Sequence, residues 1–301
     1  MNTVADSWFF SLLAFFFIAW TFPFGASTMD NLYGIHAADS SNIWAVGEHG
    51  VIQKYDGVKW TAQPSGITQD LYAVTGSSDT GAPLWAVGGT PDGAGVILQS
   101  RDRVSWTQAL APSHALFGVW ALNSSHTWAV GQAGAIWFYN GSTWTAQSSG
   151  VSTPLEAVFG IDAAHVWAVG DSGTILFWDG ATWATQASPL STSLLALWGT
   201  DASHIWAVGQ SAILFWNGAT WALQKDLTAT PGTVLNGIAG TNATHLRAAG
   251  FQGSSPYALV STDGLTWTSD TLSLAIPSYA LAQIGGRYYV VGQHGAAAFT
   301  P

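Results

Sequence analysis

The stretch Leu155–Gln186, LEAVFGIDAAHVWAVGDSGTILFWDGATWATQ, decides the fold of this chain through the four residues at its centre, Trp167-Ala-Val-Gly170. The same four begin at Trp44, Trp85, Trp128 and Trp206, and two altered copies occupy Arg247–Gly250 and Tyr289–Gly292. The closing glycines Gly47, Gly88, Gly131, Gly170, Gly209, Gly250 and Gly292 stand 39 to 43 residues apart. Self-similarity at that period means a solenoid or a propeller. Each unit holds four short apolar runs rich in Val, Ile, Trp, Phe and Thr, broken by Gly, Asp, Asn or Ser. Such runs suit pleated, packed strands, are too short for ordinary helices and keep no 3.6-residue spacing. Four strands in about forty residues make one propeller blade.

The first strand of each unit begins at Leu32, Leu71, Leu116, Leu155, Leu194, Leu235 and Leu281. The fourth carries Trp60, Trp106, Trp144, Trp183, Trp221 and Trp267. Between the third and fourth stands Asp56-Gly57, Asn140-Gly141, Asp179-Gly180, Asn217-Gly218 or Asp263-Gly264, dipeptides that supply the positive φ of a tight hairpin. Only the second unit differs there, with Arg101-Asp102-Arg103. Strands one to three therefore occur seven times and the fourth six times. The fold expected is an all-β, seven-bladed propeller over residues 31–301, with six blades or an open array as the alternative. Either the seventh blade has three strands, or Gly25–Asn31 supplies its fourth and removes an unpaired edge.

Charged residues are only 8% of the 301 and the net charge is −10. With seven Lys plus Arg in all, the chain is a poor polyanion binder, and no nucleic-acid partner is expected. There is no cysteine, which excludes disulfides, thiolate metal sites and a lipid-modified N-terminal cysteine. Residues 1–30 read differently from the rest. Trp8 to Phe24 (WFFSLLAFFFIAWTFPF) are almost wholly apolar, and Ser7 to Met29 carry no charge. That run approaches the ~20 residues that cross a bilayer, with Trp8 and Trp20 placed for the two interfaces and Phe9, Phe10, Phe15, Phe16 and Phe17 for the lipid between. A single-pass anchor is expected, with the propeller on the periplasmic or extracellular side; a cleaved signal and a helix packed on the soluble domain are the alternatives. The seven residues Gly25–Asn31 span at most ~25 Å. A propeller tethered that closely meets partners in or on the membrane.

Few residues suggest chemistry. His126, His165, His204 and His245 each precede a second strand, on separate blades, and read as turn-bonding side chains; no metal site and no cofactor are expected. The chain has two glutamates, Glu48 and Glu156. Glu156 stands in a first strand, where the other units have Tyr33, Tyr72, Phe117, Leu195 and Asn236, and first strands line a propeller channel. Ordinary glycoside hydrolysis would need a second carboxylate from another blade. The fifth first-strand position also varies: His36, Thr75, Trp120, Phe159, Trp198 and Ala239. Trp120, Phe159 and Trp198, with Glu156, are the candidate binding surface at one channel mouth, since large aromatics anchor protein interfaces and sugars; the alternative is that they fill an apolar channel end. Arg247 replaces a second-strand Trp and reads as a buried cation needing an acid, or as a local escape to solvent. Asn123-Ser-Ser, Asn140-Gly-Ser and Asn242-Ala-Thr match glycosylation acceptors.

Ser100-Arg-Asp-Arg-Val-Ser-Trp106 and Ser261-Thr-Asp-Gly-Leu-Thr-Trp267 look like shortened Asp-boxes. Together with the WAVG units and the Gly-x-Ile after them, they make residues 31–301 resemble the bacterial BNR/Asp-box-like propellers, including the photosystem assembly-factor group. A weaker similarity is to tectonin-type lectins. Sialidases in the broad class use three arginines and a Tyr/Glu pair, and this chain has no matching motif. The assembly-factor resemblance implies a non-enzymatic, exported propeller bound to integral membrane protein subunits, as an accessory, scaffold or stabilising subunit of a larger complex, with a photosynthetic complex as one candidate. A carbohydrate- or ligand-binding propeller is the alternative, a glycan being its partner, and a glycosidase using Glu156 comes third.

Overall fold

The computed structural model describes residues 28–90, 93–270 and 277–300. Its strands form seven antiparallel sheets arranged as blades around a central channel. Six sheets have four strands and the last, among the described residues, has three: Ser278–Ile284, Arg287–Gly292 and Ala297–Phe299. The seven-bladed all-β reading therefore stands. The expected membrane anchor, with Trp8, Trp20 and the phenylalanines between them, lies outside the described residues. Among those that are described, no helix is long and apolar enough to cross a membrane.

The inner strands are Leu32–Asp39, Asp70–Thr75, Leu116–Asn123, Leu155–Asp162, Leu194–Asp201, Thr233–Asn242 and Ser278–Ile284. The last corrects the expected start at Leu281. Ser278 pairs with Gly292 as Leu32 pairs with Gly47, so a fully buried serine holds the place that leucine holds elsewhere. Loss of the apolar marker hid the register.

Each WAVG run is the core of a second strand. Trp44, Ala45 and Val46 are completely buried, as are Ala129, Val130, Ala207 and Val208. Their side chains reach both faces of the sheet and fill the space between neighbouring blades, where burial removes roughly 25 cal/mol of free energy per Å² of apolar surface. The closing glycine has a different cause. A Cβ at Gly47 would sit in the carbonyl of Asn31, at Gly131 in that of Ala115, and at Gly209 in that of Ser193. The chain entering the inner strand passes directly over this position, so only glycine fits.

Blades are tied at the periphery. In four pairs the fourth-strand Trp indole of one blade donates to a Gln of the preceding fourth strand: Trp106 to Gln63 (2.9 Å), Trp183 to Gln147 (2.8 Å), Trp221 to Gln186 (2.7 Å) and Trp267 to Gln224 (2.6 Å). The turn before each of these tryptophans is held by Asp or Asn. Asp102 accepts from the Val104 and Ser105 amides, and Asp263 from Leu265 and Thr266. Those amides pull the Asp102 carboxyl down to about 2. The irregular Arg101-Asp102-Arg103 is thus the same turn, with Arg103 in the positive-φ place of glycine (φ 62°).

Closure brings the first and last blades together. The His294 amide donates to Asn31 Oδ1 across 263 residues, and a Cβ on Gly295 would meet the Thr28 carbonyl just as one on Gly134 would meet Val151. Thr28 therefore runs where complete blades carry the connector between fourth and first strands. The rest of the stretch proposed to complete the blade, Gly25–Ser27, lies outside the described residues.

Candidate functional site

Inner strands turn an edge, not a face, to the channel, so their regular side chains point into the neighbouring sheets. One residue per strand escapes this. Between Leu32 and Gly34 the pairing with the second strand slips, leaving Tyr33 as an extra, unpaired residue. The same bulge leaves Tyr72, Phe117, Glu156, Leu195, Asn236 and Tyr279 unpaired in the other six blades. A bulge bends its strand and re-aims a side chain. Here it delivers seven side chains, one per blade, to the wall of a channel of about 650 Å³.

The following position is Gly or Ala in every blade: Gly34, Ala73, Gly118, Ala157, Ala196, Gly237 and Ala280. A Cβ at Gly34 would come within 2.7 Å of the Tyr72 carbonyl and 2.9 Å of Ala73 Cα in the next strand. Small residues let the seven strands approach closely enough to form the ring.

The ring is uneven. Tyr279, Tyr33, Tyr72 and Phe117 form a continuous aromatic arc, with successive centroids 5.5, 5.6 and 5.4 Å apart. Glu156, Leu195 and Asn236 complete it, the Asn236 amide donating to the Ser278 carbonyl (2.9 Å). Burial, then the nearby Asp171 charge, pushes the Glu156 carboxyl up to about 7. Tyr33 donates to Glu48 (2.9 Å), which also accepts from the Asn31 amide and side chain, and these donors pull Glu48 down while burial pushes Tyr33 up.

Of the residues singled out from sequence, Glu156 is in this ring. Trp120, Phe159 and Trp198 are not among those lining the channel. They stand three residues further along, in the regular part of the strand, and their rings pack between blades. Trp120 stacks on Trp128 (5.8 Å) and reaches Phe159 of the next blade (5.9 Å), and a Cβ on Gly160 would touch it. Trp198 lies on Trp206 and against Gly240 in the same way. All three rings are half-buried and make these contacts away from the channel lining. Tyr279 was missed because its strand was read from Leu281.

The four histidines hold their own turns: His165 Nδ1 lies 2.9 Å from Asp162 and His204 Nδ1 2.9 Å from Asp201, with His126 and His245 on Asn123 and Asn242. The Asn123, Asn140 and Asn242 side chains of the acceptor motifs cap turns through their carbonyl oxygens. Arg247 meets its acid, with Nε 3.1 Å from the buried Asp270 and its guanidinium 4.7 Å over Tyr288. Among the described residues, one set of three potential metal ligands converges, Asp30, Glu48 and His49, with ligand atoms within 4.8 Å. Its Glu48 oxygens are already taken by Asn31 and Tyr33.

No protein-family model matches the chain, and no curated protein matches it. Among solved structures it is similar to YCF48 from Cyanidioschyzon merolae, with a TM-score of 0.71 and 22% identity over 94% of this chain and 98% of that one. It is similar to YCF48 bound to D1 peptide, with a TM-score of 0.72 and 20% identity over 93% and 96%. A streptogramin B lyase matches at a TM-score of 0.72 and 13% identity over 92% and 96%. Binding proteins and an enzyme share this scaffold, and likeness at such identities establishes the propeller fold alone.

Proposed function

We propose that this chain is a non-enzymatic binding propeller whose channel mouth docks a segment of a membrane-protein subunit, making it an accessory or stabilising member of a larger membrane complex. The observation that carries this reading is the bulge ring: a backbone device repeated in all seven blades presents seven side chains that are free to differ. Uniform framework with variable contacts suits recognition. The similar propeller bound to D1 peptide supports a peptide as the kind of ligand, and with the assembly-factor resemblance it makes a photosynthetic complex the particular candidate. The apolar run Trp8–Phe24 is proposed to anchor the propeller on the periplasmic or extracellular side. Against catalysis, the ring holds a single carboxylate, whereas ordinary glycoside hydrolysis uses two, and nearby Asp171 is engaged by the Ser193 hydroxyl (2.7 Å). The glycan alternative rests on Trp120, Phe159 and Trp198, half-buried rings that stack on neighbouring aromatics outside the channel lining.

Purification of the tagged full chain from its native membranes in mild detergent tests the proposal. Integral membrane subunits should co-purify, and a Tyr72→Ala, Glu156→Gln double variant should release them while retaining its fold. Recovery of a lone, processed, soluble protein would overturn it.

A further inference from the structure

The mouth has a chemical bias. Four aromatic rings follow one another round the wall, mutually tilted by 56°, 33° and 72°, and directly after them comes one carboxylate. Among the described residues Glu156 gains no hydrogen-bonded partner: its surroundings are burial and a second negative charge, Asp171. Leu195 on its other side is uncharged, so the groups facing it offer no counter-ion. No Lys, Arg or His lines the channel.

The rim repeats the pattern. Glu48 accepts from Tyr33, Asp70 accepts from the His49 amide, and Asp171 accepts from Ser193. The imidazoles near that rim are the exposed His49, paired with Asp30, the exposed His114, beside the Ser113 hydroxyl, and the exposed His294. The chain's fixed cations are spent elsewhere. Lys54 and Arg103 lie over Trp44, Arg247 pairs with Asp270, Arg287 covers Phe299, and Lys225 reaches the Trp267 carbonyl. Lys59 and Arg101 stand in or beside outer hairpin turns.

Resting on the reading that the mouth docks a protein segment, we infer that it receives a basic side chain, lysine or arginine, held over the Tyr33, Tyr72 and Phe117 rings with Glu156 as counter-ion. Ring faces attract a cation placed within ~6 Å of their centres, and the gain is largest where water is excluded. A charge-assisted hydrogen bond to Glu156 would supply the partner its carboxyl lacks. The aliphatic stem of such a side chain can lie along Phe117 and Leu195, the apolar bulge residues on either side of Glu156, while its head meets the carboxylate. An acidic segment would meet the same charges with repulsion.

The test uses the full chain in detergent and fluorescein-labelled heptapeptides Gly-Gly-Ser-X-Ser-Gly-Gly, with X as Arg, Lys, Leu or Glu, followed by anisotropy at pH 8 and low salt. The Arg and Lys peptides should bind at least about tenfold more tightly than the Leu and Glu peptides, a difference of ~1.4 kcal/mol. Glu156→Gln should remove most of that preference, and Tyr72→Leu should weaken the basic peptides in a protein whose melting temperature stays close to the parent's. Equal binding of Arg and Leu peptides, still sensitive to Tyr72→Leu, would sink the cation assignment and leave peptide docking standing. Failure of all four peptides to bind would overturn both.

Discussion

Removing one indole acceptor should loosen the ring by an amount that can be worked out in advance. Trp221 is 6% exposed and its Nε1 donates to Gln186 of the preceding blade at 2.7 Å. Gln186→Leu keeps the bulk and deletes the acceptor, leaving a buried N–H with no partner. Such a group costs ~1–3 kcal/mol. For a domain of this size, ~2 °C of melting temperature accompanies each kcal/mol, so the expected fall is about 4 °C. The structure also contains the reverse experiment. In the second blade the residue three after Trp106 is Ala109, not Gln, and the next indole in the ring, Trp144, has a buried Nε1 without a partner. Ala109 and Trp144 belong to one packed cluster, so the missing acceptor is local. Ala109→Gln should therefore raise the melting temperature by about 2 °C, corresponding to roughly 1 kcal/mol. Trp60 is orphaned for the parallel reason that no fourth strand of the last blade precedes it among the described residues. Differential scanning calorimetry of the two variants decides the matter. A neutral Gln186→Leu, or an Ala109→Gln that lowers the transition, would refute the latch.

Glu156 gives a pH-dependent prediction. Its folded-state carboxyl is raised to about 7 from an ordinary 4.5, so between those values the folded protein holds a proton that the unfolded chain releases. Stability should thus fall as pH rises from 4.5 to 7 and then level off; Glu156→Gln should be more stable than the parent at pH 8 and equal to it at pH 4.5, as read from paired urea melts. Arg247→Met leaves the buried Asp270 carboxylate without its ion partner and should cost ~3 kcal/mol, whereas Arg247→Met with Asp270→Leu should regain much of it; chemical denaturation of both variants tests the difference. Gly131→Ala drives a methyl into the Ala115 carbonyl and should cost at least ~3 kcal/mol, visible as lost soluble yield and a lower urea midpoint. Tyr33→Phe removes the bond to Glu48 and should lower stability by about 1 kcal/mol in the same assay.

Local chemistry determined the blade. A forty-residue period, Asp-Gly and Asn-Gly turns, and alternating β-formers each act within a few residues, so they are written in the chain and survive even where Arg103 stands for a glycine. The count of inner strands was legible for the same reason, and so was each start except the last, where buried Ser278 replaced the marker leucine. The mouth was legible only in part. Glu156 stood out because its counterparts differ between units, but so did Trp120, Phe159 and Trp198, and nothing in the spacing separates the two positions. Tertiary structure separates them. A slip in pairing with the second strand turns Glu156 and its six equivalents toward the channel, while the regular strand beyond it sends the large rings between blades. The glycine of each WAVG belongs to this same boundary: the repeat displays it in the sequence, yet its reason is the backbone that crosses it, a contact that exists only once the inner strand has docked.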